Sequence, residues 1–266
     1  MKRFFVSAIS LILILTLCCG MLTAFADGDW EIPVVPIDVD PATCQHSYVS
    51  NVVAPTAYDV GYTLHTCSIC KDSYKDNYTS PTGKVSGFKC KARTVQAQTV
   101  IWNKVAGVTG YQVQRSNAAA NKWEVSQAVT SNSYTFKSLK AGNNYKFRVR
   151  FYKRINGKNY FGAWSATLNS PTLPSATSLT KVTAGSKSFT ANWKKQAVTG
   201  YQVQYSLKSN FSGAKTVTIK NAKTLKTTVK KLSAKKVYYV RVRTYKTISK
   251  VNYFSTWSKA VKVKTK

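Results

Sequence analysis

Histidines and acidic side chains are scarce in this chain of 266 residues. It has two His and nine Asp and Glu against 40 Lys and Arg, and no acidic residue follows Glu124. General acid–base and metal-dependent hydrolytic catalysis need groups that titrate near neutral pH. Residues 125–266 contain neither His nor a carboxylate side chain, so the sequence predicts that the protein is not an enzyme. Its 44% of hydrophobic residues are enough for packed cores and exclude a disordered basic tail.

Long apolar runs are absent after the first 26 residues. Within those residues, Lys2 and Arg3 precede an apolar run over 4–17, and an Ala-Phe-Ala stretch ends at Ala26. This order predicts a secretory signal peptide over 1–26, with an uncleaved anchor helix as the alternative. No later run is long enough to cross a bilayer as a helix. We therefore expect a secreted, extracellular protein, either free or associated with the cell wall, with no transmembrane segment after cleavage.

Charge divides the rest of the chain into three parts. Residues 27–83 carry a net charge of −6, residues 84–170 carry +14, and residues 171–266 carry +21 with no acid at all. Within the first part, the acidic, Pro-containing residues 27–43 predict an extended linker with few fixed contacts. A stretch with two prolines and no glycine, 171–175, predicts a stiff boundary between the two basic parts, which we expect to lie end to end.

The two basic parts repeat one another. Trp102 precedes a Gly-Tyr-Gln-Val-Gln run at 110–114, and Trp193 precedes the same run at 200–204. Later landmarks recur at offsets of 90 to 93 residues, which is the size of a whole domain. Between landmarks, apolar and polar residues alternate as in half-buried strands. The fold class predicted is therefore mostly β, with two tandem antiparallel sandwiches over 84–170 and 171–266.

Both parts resemble fibronectin type III domains. Each has the Trp of the second strand, the Gly-Tyr-x-Val third strand, and a Leu shortly before a Tyr, Leu139 before Tyr145 and Leu232 before Tyr238. The resemblance implies that each Tyr hydroxyl bonds to backbone in a tyrosine corner. The resemblance covers residues 84–266. It implies binding or spacer modules, and no Arg-Gly-Asp sequence is present to suggest integrin binding.

A cysteine-bearing segment precedes these domains. Cys44-Gln-His46 is followed by a Pro-Thr pair, a Gly-Tyr pair, the Cys67-x-x-Cys70 motif and Asp-Ser-Tyr. This order resembles a short repeat in secreted surface proteins of Gram-positive anaerobes. The resemblance covers residues 43–83 and implies a small extracellular Cys/His module over 44–83, similar to a zinc ribbon. Ala57 and Lys84 stand where the repeat often has a further Cys and His.

The module has four candidate metal ligands: Cys44, His46, Cys67 and Cys70. Three thiolates and one imidazole suit tetrahedral zinc, and forty residues bury too little apolar surface to fold without a metal or a crosslink. Disulfide bonding is the alternative, because secretion favours it. His65 is a second candidate for the imidazole ligand. We expect Cys90, on the first sandwich strand, to be a buried hydrophobic residue rather than a ligand.

Arginine and tryptophan recur together in both repeats. Trp164 follows a strand that presents Arg148 and Arg150, and Trp257 follows one that presents Arg241 and Arg243. A guanidinium over an indole forms a cation–π contact. We predict a structural cation–π ladder of these residues in each domain: Arg148, Arg150 and Trp164, then Arg241, Arg243 and Trp257. A solvent-exposed Trp that stacks on a sugar ring is the alternative.

Lysine is dense in one part of the second repeat. Six lysines fall within 14 residues: Lys223, Lys226, Lys230, Lys231, Lys235 and Lys236. Unpaired cations repel one another and destabilise a compact domain, so the sequence predicts that these lysines bind an anionic cell-wall polymer such as teichoic acid, an anionic glycan or extracellular DNA. The alternatives are a protein–protein interaction module that joins other surface proteins through an exposed strand edge, or an accessory subunit that targets a secreted enzyme.

Overall fold

The protein is almost entirely β-structure. The computed structural model describes residues 39–117 and 122–266, so the predicted signal peptide at 1–26 and the linker up to residue 38 lie outside the described residues. Pro41–Thr43 forms a single 3-10 turn at the end of that predicted linker, because the Asp40 carboxylate accepts a hydrogen bond from Ala42 N at 2.9 Å. This capped turn differs from the extended conformation that the sequence predicted there.

A three-stranded antiparallel sheet forms the Cys/His module, in the order β1-β2-β3. Its strands are β1 Tyr48–Val53, β2 Gly61–Cys67 and β3 Ser73–Thr79. Residue pairs from Tyr48 with Cys67 to Val53 with Tyr62 set the first register. Most of β1 is exposed to solvent, so the module buries little apolar surface, as its length predicted.

The first sandwich packs a three-stranded sheet against a five-stranded sheet. Its sheets have the orders β4-β5-β8 and β10-β9-β6-β7, with β11 also paired to β9. The strands are β4 Lys89–Arg93, β5 Gln98–Ile101, β6 Gly110–Asn117, β7 Val125–Val129, β8 Ser133–Phe136, β9 Asn144–Ile155, β10 Lys158–Phe161 and β11 Leu168–Pro171.

The second sandwich repeats this arrangement. Its sheets have the orders β12-β13-β16 and β15-β14-β17-β18, with β19 also paired to β17. The strands are β12 Leu179–Gly185, β13 Ser188–Trp193, β14 Gly200–Ser206, β15 Lys215–Ile219, β16 Lys226–Val229, β17 Val237–Ile248, β18 Val251–Phe254 and β19 Val261–Lys264. The prediction of two tandem β-sandwiches is therefore confirmed.

Alternating burial along the long strands builds each core. In β9, Tyr145, Phe147, Val149 and Phe151 are buried, while the residues between them are only partly covered. Trp102 in the first core and Trp193 in the second are 2% and 3% exposed. The alternation of apolar and polar residues in the sequence thus decides which face of each strand is buried in the core.

The tyrosine corner occurs in both domains. The Tyr145 hydroxyl accepts a hydrogen bond from Lys140 N at 2.8 Å, and the Tyr238 hydroxyl accepts one from Ser233 N at 3.1 Å. Each bond ties the loop that follows a buried Leu to the strand that crosses the core. The hydroxyl therefore satisfies a backbone donor that the turn leaves without a strand partner.

Replacing Tyr238 with Phe is expected to lower the free energy of unfolding by about 1–3 kcal/mol, because Ser233 N loses its acceptor. Amide hydrogen exchange in β17, together with urea denaturation of the full chain, would measure the loss. Tyr239→Phe is the matched control, since this neighbouring side chain is only half-buried and on the opposite face. Equal effects of the two substitutions would contradict a specific role for the corner.

Contacts hold neighbouring units together at both joints. Asp59 accepts a hydrogen bond from Lys153 Nζ at 2.6 Å, which lowers the pKa of that carboxyl, and the ring of Tyr58 lies 5.7 Å from that of Phe151. At the second joint, Leu173 N donates to Thr94 O at 3.0 Å and Thr244 Oγ1 donates to Ser175 O at 2.7 Å. These bonds attach the 171–175 segment to both sandwiches.

Candidate metal centre and cationic surfaces

Two chain segments bring the four candidate ligands together at one end of the module sheet. Cys44 and His46 lie just before β1, Cys67 ends β2, and Cys70 lies in the turn that leads to β3. That turn is tight, because Lys71 N donates to Cys67 O at 3.1 Å and Lys71 has a φ of 65°. The pairing of Tyr48 with Cys67 then sets the N-terminal segment beside the turn.

The ligand atoms of these four residues lie within 4.8 Å of one another. Cys44 Sγ is 3.8 Å from Cys67 Sγ, and Cys70 Sγ is 3.4 Å from His46 Nδ1. A tetrahedral zinc ion with ordinary bond lengths needs about 3.8 Å between two sulfurs and about 3.6 Å between sulfur and nitrogen. The four residues therefore lie close enough to bind a metal ion. All four described cysteines, including Cys90, are free thiols.

The thiols of the cluster differ in acidity. Burial raises the pKa of Cys44 to about 12, with help from hydrogen bonds to Cys70 and Cys67. Burial also acts on Cys67, but hydrogen bonds from the backbone of Cys70 and from the His46 ring outweigh it and lower its pKa to about 5. Cys67 is fully buried. A thiolate is the form that binds a metal, and the lowered pKa of Cys67 favours that form.

His65 is not part of the cluster. Its Nδ1 lies 2.9 Å from Ser50 Oγ, its Nε2 lies 2.8 Å from Asp76 Oδ1, and its ring stacks on Tyr74 at 4.5 Å. These contacts use both ring nitrogens and link the three strands of the module. The structure thus selects His46 over His65 as the imidazole ligand. Cys90 is half-buried on β4, with Gln98 Oε1 3.6 Å from its sulfur, rather than part of the core.

In the first sandwich, Trp164 lies against both predicted arginines. The guanidinium carbon of Arg148 is 4.1 Å from the Trp164 ring and that of Arg150 is 4.3 Å from it. Two further rings extend the stack, since Arg148 also lies 4.2 Å from Trp123 and Arg150 lies 3.8 Å from Phe161. The result is an alternation of aromatic rings and guanidinium groups across the outer face of the sheet.

The second sandwich has the same stack. Arg241 and Arg243 lie 4.7 and 4.3 Å from the Trp257 ring. Arg241 also lies 3.8 Å from Phe211, and Arg243 lies 4.0 Å from Phe254. These ring distances are within the range of a cation–π contact, and they place Trp164 and Trp257 between arginines rather than free in solvent.

Glutamine side chains complete both ladders. Arg148 donates to Gln114 Oε1 at 2.8 Å and Arg150 donates to Gln112 Oε1 at 2.7 Å. Gln204 and Gln202 do the same for Arg241 and Arg243 in the second domain. Sequence reasoning missed these glutamines, although the Gln-Val-Gln run recurs in both repeats and offered the signal. Burial lowers the pKa of all four arginines, and guanidinium groups remain charged at neutral pH.

The lysines of the second domain lie at its surface. All six predicted binding lysines are exposed. They occupy the turn before β16, the first position of β16, and the two turns between β16 and β17: Lys223, Lys226, Lys230, Lys231, Lys235 and Lys236. Ion pairs found among the described residues join His65 with Asp76, Arg115 with Glu124 and Lys153 with Asp59. Within the described chain, none of these pairs involves a lysine of the second domain.

No helix among the described residues is long and apolar enough to cross a membrane. A search of the curated proteins found no match to this chain. Among solved structures, the chain is similar to the FN1–FN3 domains of chicken CNTN1, with 16% identity, 78% of each chain covered and a TM-score of 0.39. It is also similar to a segment of two fibronectin type III domains from chicken tenascin, with 19% identity, 68% of this chain and 99% of that chain covered, and a TM-score of 0.43.

The family model described as fibronectin type III domain matches two stretches of the chain, residues 81–169 and 173–263. Together they span more than half of the sequence and correspond to the two sandwiches, each with its tyrosine corner. The chain belongs to the fibronectin type III family and carries two tandem domains of it.

Proposed function

We propose that the protein is a non-catalytic binding and spacer protein that works outside the cell and attaches to anionic polymers through its two sandwiches. One observation carries this proposal. Residues 84–266 contain 36 Lys and Arg and a single acidic residue, Glu124, and Glu124 is already paired with Arg115 at 3.4 Å. The candidate polymers are wall teichoic acid, anionic glycans and extracellular DNA.

The cations divide into two groups with different roles. The four ladder arginines have partners within the fold, in aromatic rings and in glutamine oxygens, so they contribute to stability. The lysines of residues 171–266 have no carboxylate side chain within their own domain. Mutual repulsion of such lysines opposes folding, and a polyanion would remove that repulsion while releasing its own counterions. The exposed lysines are therefore the proposed contact surface.

Zinc is the proposed structural metal of the module. Four protein ligands close a tetrahedral site and leave no open position for a substrate. A metal held by Cys44, His46, Cys67 and Cys70 would join the N-terminal segment to the turn after β2. It would supply the stability that the small exposed sheet lacks.

Export is part of the proposal. It rests on the predicted signal peptide over residues 1–26, and the resemblance of residues 43–83 to a repeat of Gram-positive surface proteins supports it. Fibronectin type III domains are, as a class, structural and binding modules, which supports a non-catalytic role for this chain.

The test is chromatography of the mature chain on immobilised teichoic acid, heparin and DNA in a salt gradient. We expect retention beyond physiological ionic strength and a steep loss of binding as salt rises. Neutralising five lysines of the second domain together should lower the salt concentration at which the protein elutes, and binding should then depend less steeply on salt. These lysines are Lys223, Lys226, Lys230, Lys235 and Lys236. The matched control neutralises five exposed lysines of the first domain: Lys84, Lys89, Lys91, Lys104 and Lys137.

Both variants lose the same net charge. A larger loss of retention in the variant with substitutions in the second domain would therefore assign the contact to that domain. Elution of the unaltered protein from all three columns below physiological salt would exclude attachment by charge.

A second candidate function is protein–protein interaction through the edge of the module sheet. Among the described residues, β1 is an edge strand of the module sheet, and no strand pairs with its outer side. Its Val49 and Val52 are 64% and 78% exposed. An exposed edge with apolar side chains is a template for an added strand. Binding to other surface proteins that does not weaken with salt would favour this function over polymer attachment.

A further inference from the structure

A cavity of about 420 Å³ opens beside β14 in the second sandwich. The loop that joins β14 to β15 forms one wall, and the segment that joins β16 to β17 forms another. The residues that matter for its chemistry are Tyr205, Leu207, Lys208, Lys215, Lys231 and Tyr238. The volume is within the range of small-molecule sites in proteins.

The loop that forms the wall is held in place by its own hydrogen bonds. Ser206 Oγ donates to Ser212 O at 3.1 Å and accepts from Lys208 N at 3.1 Å. Ser212 N donates to the side chain of Asn210 at 3.0 Å. The Phe211 ring, which stacks on Arg241 of the ladder at 3.8 Å, ties the loop to the sheet. A ligand would therefore enter a cavity that is already largely formed, and binding would cost little entropy for ordering the loop.

Aromatic and apolar groups are combined with cations around this cavity. The Tyr205 ring packs between Phe189 and Tyr238, with centroids 5.7 and 6.2 Å away. Leu207 is 53% exposed, and three lysines stand at the same opening. Burial, and to a lesser degree the neighbouring Tyr238, raise the pKa of Tyr205. Its hydroxyl thus remains protonated and able to donate at neutral pH.

In the first domain, the residue equivalent to Tyr205 has its partners within the domain. There the repeat has Arg115 where the second domain has Tyr205. Arg115 lies 5.3 Å from the Tyr145 ring and pairs with Glu124. The second domain has an aromatic ring at this position and contains no Asp or Glu with which its lysines could pair. The same place in the fold thus changes from an ion pair within the first domain to a cavity lined by three lysines in a domain without Asp or Glu.

We propose that this cavity binds one sulfated or phosphorylated sugar or polyol unit, with its carbon skeleton against Tyr205 and Leu207 and its anionic ester group among Lys208, Lys215 and Lys231. Sugar C–H faces pack on aromatic and apolar side chains, and ester oxygens accept hydrogen bonds from ammonium groups. This inference rests on the proposed attachment to anionic polymers, and it adds recognition of the repeating unit to the general attraction of charge.

The test is calorimetric titration of the mature chain with four probes: a sulfated heparin disaccharide, the same disaccharide without sulfate, glycerol 3-phosphate and inorganic sulfate. Binding of either ester more tightly than inorganic sulfate and the unsulfated disaccharide supports the proposal, and the tighter ester identifies the source. Equal binding of inorganic sulfate, or no binding of either ester, overturns it.

Two variants with the same loss of charge locate the site. Replacing Lys208 and Lys215 with Ala should weaken binding of the preferred ester about tenfold or more, because it loses two charged contacts. Replacing Lys89 and Lys91, two exposed lysines of the first domain that do not line the cavity, should leave ester binding within about twofold of the unaltered protein. Equal binding by both variants overturns the assignment to this cavity.

The polymer columns separate failure of this inference from failure of the proposed function. If the cavity binds no ester but the protein is still retained above physiological salt, only the inference fails. If retention is also lost, the proposed attachment fails with it.

Discussion

Replacing Cys67 with Ser is expected to abolish zinc binding and to unfold the module sheet while both sandwiches stay folded. Cys67 is fully buried, and its sulfur lies 3.8 Å from that of Cys44. A structural zinc site contributes about 10–16 kcal/mol of apparent binding energy to small modules of this kind. The sheet has too little core to replace such a contribution. Metal analysis of the purified chain and amide hydrogen exchange in β1–β3 would measure both effects.

Cys90→Ser is the matched control, because Cys90 is a free thiol outside the cluster. It should keep one zinc per chain and the same exchange protection in the module. A bound zinc in the Cys67 variant would contradict the assignment of the ligands. A disulfide between Cys67 and another cysteine in native, secreted protein would replace zinc with the crosslink that secretion favours.

Replacing Trp257 with Ala is expected to lower the free energy of unfolding of the second sandwich by about 2–4 kcal/mol. The substitution removes a ring that lies against two guanidinium groups, those of Arg241 and Arg243. Both cations would then face each other across an empty layer, so their repulsion adds to the lost packing. Hydrogen exchange in β17 of the full chain would show the destabilisation domain by domain.

Trp257→Phe is the conservative control, since it keeps an aromatic face between the two arginines. It should recover much of the stability, whereas Trp164→Ala should destabilise the first sandwich in place of the second. A Trp257→Ala variant with unchanged protection would mean that the ladder stabilises nothing. The alternative of a sugar-stacking Trp would then need to be tested again.

Much of this architecture could be predicted from local sequence. Period-two alternation placed Tyr145, Phe147, Val149 and Phe151 on the core face. An Asn-Gly pair favours a tight hairpin turn, and Asn156 and Gly157 both have positive φ, 48° and 79°. Short-range geometry decides these features, because side-chain direction in a strand and backbone freedom in a turn depend on neighbouring residues alone.

The second repeat shows how weak a turn signal can be. In the equivalent hairpin of the second domain, between β17 and β18, Ser249 and Lys250 have positive φ, 50° and 65°. Neither is a residue that favours this conformation. The flanking pairs of β17 with β18 impose the turn on them. Tertiary pairing therefore overrides local preference at this position.

The candidate sites divide in the same way. Sequence by itself determined the two-domain repeat, the metal-binding residue types and spacing, and the pairing of each Trp with its two arginines. Only the tertiary structure decided that His46 rather than His65 joins the cysteines, that Trp123 and Phe211 extend the ladders, and that Asp59 meets Lys153. The cavity beside Tyr205 was also visible only in the tertiary structure. Such features join side chains from separate strands and loops. The distances between these side chains depend on how the sheets twist and pack, and a local sequence pattern does not determine that.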